Sequence, residues 1–457
     1  MLSRPVYTEK IAHSSYLVGS EGRAVVIDPR RDVEVYIHMA KKFDLTITHI
    51  LETHLHADFL SGHMDLADRL GAEIVMPAAA GADFPHTGVA EGDEIAVGKL
   101  RFRVMETPGH TPEHVSYVLS DLDRGDVPAA VYCGDTLFVG DVGRPDLFPG
   151  QAEELTRRLF SSLHDKLLKL PDFVEVYPAH GPGSLCGRSI GQRRRSTIGY
   201  EKQLNPALQF TDPDAFRDWL LEGMPPAPDH FSRLSEINRR GPELLRRLDA
   251  LASITPSDAR QLMTQSKGIA LDVRGMRGFS RSHIAGSYHI STRANFPTLA
   301  GWVIPPEKPI FLISAGEEEL AEAWDQLHRV GLDNVAGQLL SGIEGWDAQE
   351  LPLDSLDLLE PEELKTQLAG DAPPLVVDVR PAAAFNAGHI AGAVNIPVAE
   401  LRTRYTEIPA DRQAVLTCRV GYVASMGCSL LKQRGRHRVA NLRGGLSRFV
   451  ASGGTLT

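Results

Sequence analysis

Apolar positions in this chain fall into short runs separated by turn residues, and their period changes along its length. Tyr16 to Pro29 alternates and then turns apolar (Ala24-Val25-Val26-Ile27-Asp28-Pro29), as strands do, and the spacing over Val33–Phe43 predicts a helix. Ile47–Leu51 reads as a buried strand and Met64–Leu70 as a helix, followed by a short strand at Ile74–Met76 and paired strands between Glu94 and Val104. Ala130–Phe138 and Phe173–Pro178 are further apolar runs of strand length. Strands alternating with helices predict an α/β domain with sheet in its middle. From Ile190 to Leu251 the chain is mainly polar with helical spacing, broken at Pro206, Pro213 and Pro225-Pro226-Ala227-Pro228. That stretch predicts a helical extension ending in a helix over Gly241–Leu251.

Beyond it the pattern repeats. Leu271-Asp272-Val273-Arg274, with Phe279-Ser280-Arg281-Ser282-His283-Ile284-Ala285-Gly286 after it, recurs as Val377-Asp378-Val379-Arg380 with Phe385-Asn386-Ala387-Gly388-His389-Ile390-Ala391-Gly392. Each copy continues through an apolar strand, a turn and a helix to a Gly-containing segment before an aromatic, Trp346 or Phe449. A period of about a hundred residues marks a duplicated domain and not a solenoid. The 457 residues suit about three domains, and the boundaries expected are 1–252, 253–353 and 354–457.

The residues that carry chemistry cluster in a few loops. Thr53-His54-Leu55-His56-Ala57-Asp58-Phe59 links a predicted strand to a predicted helix, and residues two apart in an extended segment point the same way. His54, His56 and Asp58 can therefore converge on one point, and two imidazoles with a carboxylate suit a first-row divalent metal. Thr107-Pro108-Gly109-His110-Thr111-Pro112-Glu113-His114 places His110 in a tight loop after a strand, as another candidate imidazole. Asp135 ends the Ala130 strand, and His180 stands in Ala179-His180-Gly181 after the Phe173 strand.

Composition narrows the partners. A formal net charge of −11, with no basic cluster beyond Arg193-Arg194-Arg195, argues against nucleic acid or an anionic membrane as the main partner. Small molecules are expected instead. Cys133, Cys186, Cys418 and Cys428 are too few for a disulfide framework in a chain this long. The start lacks a signal-peptide core and no apolar run is long enough to span a bilayer, so a reducing cytoplasm is expected.

His-x-His-x-Asp resembles the signature of the metallo-β-lactamase superfamily, whose glyoxalase II branch reads Thr-His-x-His-x-Asp-His. Phe59 stands in place of the final His, which in the binuclear hydrolases helps to hold a second metal, so a single-metal site is expected. The order of His-x-His-x-Asp, Gly109-His110-Thr111, Gly134-Asp135-Thr136-Leu137 and Ala179-His180-Gly181 resembles the mononuclear branch, persulfide dioxygenase. That resemblance implies an αββα sandwich and one Fe(II) per chain, held by His54, His110 and Asp135. His56 and Asp58 would lie just outside the ligand set, and His180 would bond metal-bound water or substrate. Two imidazoles and one carboxylate leave positions for dioxygen and persulfide, whereas His56 as a further ligand would favour a zinc-like hydrolytic site.

Gly143-Arg144-Pro145-Asp146 resembles the Gly-Arg-x-Asp segment of the same branch, in which the Arg lies by the bound thiol cofactor; the alternative pairs Arg144 with Asp146 or Asp141 as scaffold. Glutathione-using members carry Asp-Tyr where this chain has Gly181-Pro182, so coenzyme A persulfide or another low-molecular-weight persulfide stays open as substrate. Cys186, in a Gly-rich loop shortly after His180, is expected to be mobile and to carry a persulfide to the iron. Cys133 is expected to be buried filler. By analogy with relatives, the helical extension covers the pocket.

Both repeat copies resemble the rhodanese fold of sulfurtransferases, so the whole chain is expected to be α/β: the sandwich followed by two rhodanese-like domains. Cys418-Arg419-Val420-Gly421 ends a strand and opens a helix, where loop amides and the helix end stabilise a thiolate or persulfide, with Arg419 adding charge. In the first copy Ser314 replaces the Cys and Glu317-Glu318-Glu319 crowd the loop, so that copy is expected to be inactive. Asp272, Arg274, Asp378 and Arg380 are expected in structural ion pairs, and Cys428 in the core. The resemblance implies oxidation of a persulfide by dioxygen to sulfite, with Cys418 then passing sulfane sulfur to sulfite to form thiosulfate. The alternatives are a zinc thioester hydrolase of glyoxalase II type and a sulfur-carrier module without metal chemistry. A homo-oligomer is expected.

Overall fold

The computed structural model describes residues 1–222, 224, 227–248 and 250–457. The chain divides into two compact units, one holding residues 1–248 with 329–331, the other holding the rest. Among the described residues no helix is long and apolar enough to cross a membrane.

The first unit is built on two six-stranded sheets. One runs Leu2–Thr8, His13–Ser20, Arg23–Ile27, Thr46–Leu51, Glu73–Pro77, Thr87–Val89, antiparallel over its first three strands and parallel thereafter. The other orders Ser196–Thr197, Glu175–Pro178, Pro128–Gly134, Val115–Asp121, Leu100–Glu106, Glu94–Val97, with one parallel pairing, between Pro128–Gly134 and Glu175–Pro178. Alternate side chains of both sheets meet in a shared core of Val18, Ile27, Leu51, Phe102, Tyr117 and Tyr132. Each large apolar side chain buried there contributes roughly 1.5–3 kcal/mol. The opposite faces are covered by helices, Glu34–Lys42 and His63–Leu70 on one side, Ala152–Ser161 and Pro213–Leu221 on the other. The result is an αββα sandwich.

The helix expected over Gly241–Leu251 is corrected. The helix of this region is His230–Arg240; Gly241, with φ 90°, and Pro242 stop it, and among the described residues up to 251 only a short 3-10 turn follows, at Leu245–Arg247. The inward positions are Phe231, Leu234 and Asn238, a helical spacing read about three turns too late. Pro225 and Pro226, expected as a break, lie outside the described residues, as does Asp249.

The second unit contains two five-stranded parallel sheets of the same order. In the first, Ser253–Ile254, Val335–Leu339, Ile310–Ile313, Ile269–Asp272 and Tyr288–His289 are neighbours in that sequence. In the second the order is Asp357–Leu359, Val439–Leu442, Ala414–Thr417, Leu375–Asp378, Val394–Asn395. Arg274 is forked to Asp272 and reaches the Ser282 carbonyl, while Arg380 is forked to Asp378 and reaches the Gly388 carbonyl. The repeated Asp-x-Arg is thus the same structural clamp twice.

Candidate metal centre and sulfur-transfer loop

The metal centre forms where loops leave the ends of strands. His54 follows Thr46–Leu51, His110 follows Leu100–Glu106, Asp135 follows Pro128–Gly134 and His180 follows Glu175–Pro178. All four are buried. One ligand atom from each of His54, His110 and Asp135 falls within a 4.8 Å cluster, with the Asp135 Oδ2 3.3 Å from His110 Nε2 and 3.9 Å from His54 Nε2.

Hydrogen bonds fix the tautomers of both imidazoles. The Thr53 hydroxyl donates to Asp28 Oδ2 at 2.9 Å, so it can only accept from His54 Nδ1, 2.9 Å away. His110 Nδ1 donates to the Arg144 carbonyl at 2.8 Å. Each ring therefore turns a bare Nε2 lone pair inward, and His110 Nε2 is buried with no hydrogen-bond partner. Burial lowers the pKa of both rings, which keeps them neutral. Asp135 is buried too; burial disfavours its charge, but His180 and His110 hold its pKa well below the usual carboxylate range. Two neutral imidazoles with convergent lone pairs and one carboxylate fit a divalent metal ion.

His54, His56 and Asp58 do not converge on one point. His56 Nε2 turns away to Asp28 Oδ1 at 3.2 Å and Glu52 Oε2 at 3.4 Å. Burial opposes charge on His56, but the two carboxylates outweigh it and raise its pKa to about 10, so no lone pair is left for a metal. Asp58 Oδ2 lies 2.9 Å from His180 Nε2, and His180 Nδ1 donates to Asp135 Oδ1 at 2.8 Å. His180 thus bridges Asp58 to Asp135. Phe59 is fully buried, its ring 4.1 Å from that of His13 and 4.5 Å from that of His56.

Arg144 is buried, with its guanidinium forked onto Asp146 at 2.7 Å to each oxygen and a further bond to the Leu185 carbonyl. Its N–H donates to the Cys186 carbonyl. Gly143 brings this loop against Asp135, since a Cβ there would sit 1.9 Å from the Asp135 carbonyl oxygen. Cys186, expected to be mobile and to carry a persulfide, has its side chain buried. It is buried among Ala57, Phe138, Ile190 and Phe231, close to Asp58 and His180. Burial, reinforced by Asp58, pushes its thiol up to about 12, so at neutral pH it is a thiol. Cys133 and Cys428 are fully buried.

Sequence reasoning missed several members of the site. Asp28 and Glu52 capture His56, His114 Nε2 accepts the Asp135 N–H at 3.0 Å, and Asn238 donates to the carbonyls of His56 and Phe59 while accepting the Ser61 N–H. Asp28 and Glu52 directly follow apolar strands, the one signal that could have found them. His13 is fully buried against Phe59 with neither ring nitrogen hydrogen-bonded, and nothing in the sequence marks it.

The profile of the Metallo-beta-lactamase superfamily matches residues 9–180, and that of the Rhodanese-like domain matches 255–349 and 360–452. The chain is 32% identical over 219 residues to the mouse "Persulfide dioxygenase ETHE1, mitochondrial", covering 46% of this chain and 77% of that protein. The chain belongs to the metallo-beta-lactamase superfamily. It is also 37% identical over 161 residues to a hydroxyacylglutathione hydrolase of Rhodospirillum rubrum, covering 35% of this chain and 57% of that one. A crystal structure titled metallo-beta-lactamase from Staphylococcus aureus subsp. aureus COL superimposes with a TM-score of 0.67 at 35% identity, covering 74% of this chain and 99% of that one. This superfamily member therefore carries two rhodanese-like domains behind its sandwich.

In the second rhodanese-like domain, Cys418 lies between Ala414–Thr417 and the helix Tyr422–Gln433. Its Sγ receives the Gly421 N–H at 3.1 Å, and Gly421 adopts φ 100°. Cys418 is 4% exposed, and Arg419 beside it is exposed. Gly445 packs on the loop from the far side, where a Cβ would lie 2.2 Å from the Cys418 carbonyl oxygen. In the first copy, Ser314 follows the matching strand Ile310–Ile313, and the Glu319 carboxylate accepts the Ala315 N–H at 2.8 Å. A carboxylate thus occupies a loop amide there.

Proposed function

We propose that the chain oxidises a low-molecular-weight persulfide with dioxygen and passes sulfane sulfur onward through a second site, within three domains at 1–252, 253–353 and 354–457. The observation that carries the reading is the pair of inward lone pairs on His54 and His110 facing Asp135, beside a phenyl ring where the hydrolase pattern has a histidine. Iron(II) on those three residues would supply dioxygen chemistry, the net change being persulfide, dioxygen and water to thiol, sulfite and two protons.

The chain's own residues keep that centre in order. Asp28 through Thr53, and the Arg144 carbonyl, hold the two imidazoles in one tautomer. His180 orients Asp135 and carries a proton shared with Asp58, at a position to take up or deliver protons as the thiol leaves. Arg144 ties the Cys186 loop to the His110 loop, which supports the scaffold role over direct thiol binding.

At the second site Cys418 would act as the nucleophile, its thiolate and persulfide stabilised by the Gly421 amide and the charge of Arg419. Sulfite attacking the outer sulfur of the Cys418 persulfide gives thiosulfate and regenerates the thiolate. In an assay with persulfide and oxygen, His110→Ala is expected to lower oxygen uptake at least about a hundredfold. Cys418→Ser is expected to keep oxygen uptake and release sulfite in place of thiosulfate. Oxygen uptake untouched by His110→Ala would end the reading.

The similarity to a hydroxyacylglutathione hydrolase supports a second reading, metal-assisted thioester hydrolysis. Turnover of S-lactoylglutathione without oxygen separates the two.

A further inference from the structure

Within the second unit the two rhodanese-like copies line a half-open cavity of about 780 Å³. Five arginines line it, Arg274, Arg277 and Arg293 from the first copy and Arg443 and Arg448 from the second, against one acid, Glu344. Three have carboxylate partners: Arg274 is forked to Asp272, while Arg443 and Arg448 share Glu360. Arg277 and Arg293 are exposed, and neither has a carboxylate within ion-pair distance among the described residues. Arg293 from the first copy and Tyr422 from the second both line the cavity, and the Tyr422 hydroxyl and the Glu319 carboxylate both act electrostatically on the Arg293 guanidinium.

The cavity borders the Cys418 loop and the matching Ser314 loop of the first copy. Ser314 and Ala315 come from the first copy; Tyr422, which directly follows the Cys418 loop, and Gly444, next to the Gly445 that packs on Cys418, come from the second. Asn441 Nδ2 donates to Met276 Sδ at 3.0 Å, so the first copy lies directly against the second beside this wall. Sulfite or thiosulfate would fill a small part of the space, whereas cavities of roughly 300–1,000 Å³ take organic ligands of cofactor size. Guanidinium groups with no carboxylate within ion-pair distance, Arg293 feeling Glu319 only from farther off, favour phosphate or carboxylate groups on such a ligand.

We propose that this cavity binds a low-molecular-weight thiol through its phosphate or carboxylate groups, with Arg277 and Arg293 as their partners, and holds its sulfur for exchange with Cys418. The inactive copy then contributes to the chemistry of its neighbour. It supplies the anion-binding arginines, and its own loop, capped by Glu319, carries no competing thiol. The proposal rests on the reading of Cys418 as a sulfur carrier. In the exchange, the thiolate attacks the outer sulfur of the Cys418 persulfide, the bond to Sγ breaks, Cys418 leaves as thiolate and the thiol departs as its persulfide. The reverse step loads Cys418, and neither direction needs an oxidant.

The test uses the full chain, loaded at Cys418 from thiosulfate, with coenzyme A, glutathione and 2-mercaptoethanol as sulfur acceptors. The KM for an anionic thiol is expected at least tenfold below that for 2-mercaptoethanol, and coenzyme A against glutathione tells phosphate from carboxylate recognition. In Arg277→Ala/Arg293→Ala that preference is expected to collapse through KM, with kcat for 2-mercaptoethanol as reference. Equal KM values for charged and uncharged thiols, or a preference unchanged in the double variant, overturn the proposal. If wild type transfers no sulfur from thiosulfate to cyanide, it is the carrier reading that fails. The cavity is then judged by equilibrium binding of coenzyme A: binding displaced by pyrophosphate and lost in the double variant supports it, and no binding by wild type overturns it.

Discussion

The Phe59 ring fills the space among His13, His56 and His180, at ring-centroid distances of 4.1, 4.5 and 6.5 Å. An imidazole in its place would add a donor beside Asp58 and His180, which already lie 2.9 Å apart. Phe59→His is therefore expected to raise bound metal from one toward two per chain and to shift activity from oxygen uptake toward thioester hydrolysis, read by metal analysis and the two assays. Metal content unchanged at one would show that the position does not set metal number. The residue scale is also where the sequence was most and least legible. The family resemblance carried by the motifs grouped His54 with His110 and Asp135, whose ligand atoms do cluster. The alternation rule, by contrast, placed His56 and Asp58 on the same point as His54, because it cannot see the carboxylates that compete for His56, Glu52 four residues earlier and Asp28 after a neighbouring strand. Asp28 and Glu52 take His56 away, and the Asp28 contact exists only once the two strands are paired.

At the scale of elements, an α/β first domain and a duplicated domain after it were legible because strand-length apolar runs, helical spacing and the repeat point the same way, while the sandwich itself came from the family resemblance. The helix His230–Arg240 was misplaced by the polar, proline-broken composition around it, and with it went Asn238. That side chain holds the metal loop from 182 residues away, donating to His56 O at 2.7 Å and Phe59 O at 2.8 Å and accepting the Ser61 N–H at 2.9 Å. Asn238→Ala leaves three buried backbone groups without their partner, at about 1–3 kcal/mol for each that stays unpaired. The variant is expected to unfold at lower denaturant and to bind metal more weakly than wild type, and equal midpoints with equal metal content would refute the role.

At the scale of the whole molecule, each unit carries its own buried chemistry, and one group in the second unit gives it a pH dependence. His289 donates from Nε2 to the Arg274 carbonyl and accepts at Nδ1 from Ser425, stacked on Phe279. Burial lowers its pKa from 6.5 to about 4. A depressed histidine pKa means the unfolded chain takes up the proton first. The stability linked to this group is complete above pH 6.5 and is lost as pH falls toward 4, by on the order of 3 kcal/mol. His289→Gln is expected to flatten the fall in unfolding midpoint between those pH values, and parallel pH curves for the two proteins would remove His289 as the cause.

On the proposed function, joining the two activities in one chain would give sulfite made at the first site a high local concentration at the second, an arrangement that has a purpose only if the first site activates oxygen. The most direct measurement is metal analysis of protein purified without added metal, together with oxygen uptake on a persulfide. The account predicts about one iron per chain, lost with oxygen uptake in His110→Ala; zinc near two per chain, with thioester hydrolysis and no oxygen uptake, would contradict it.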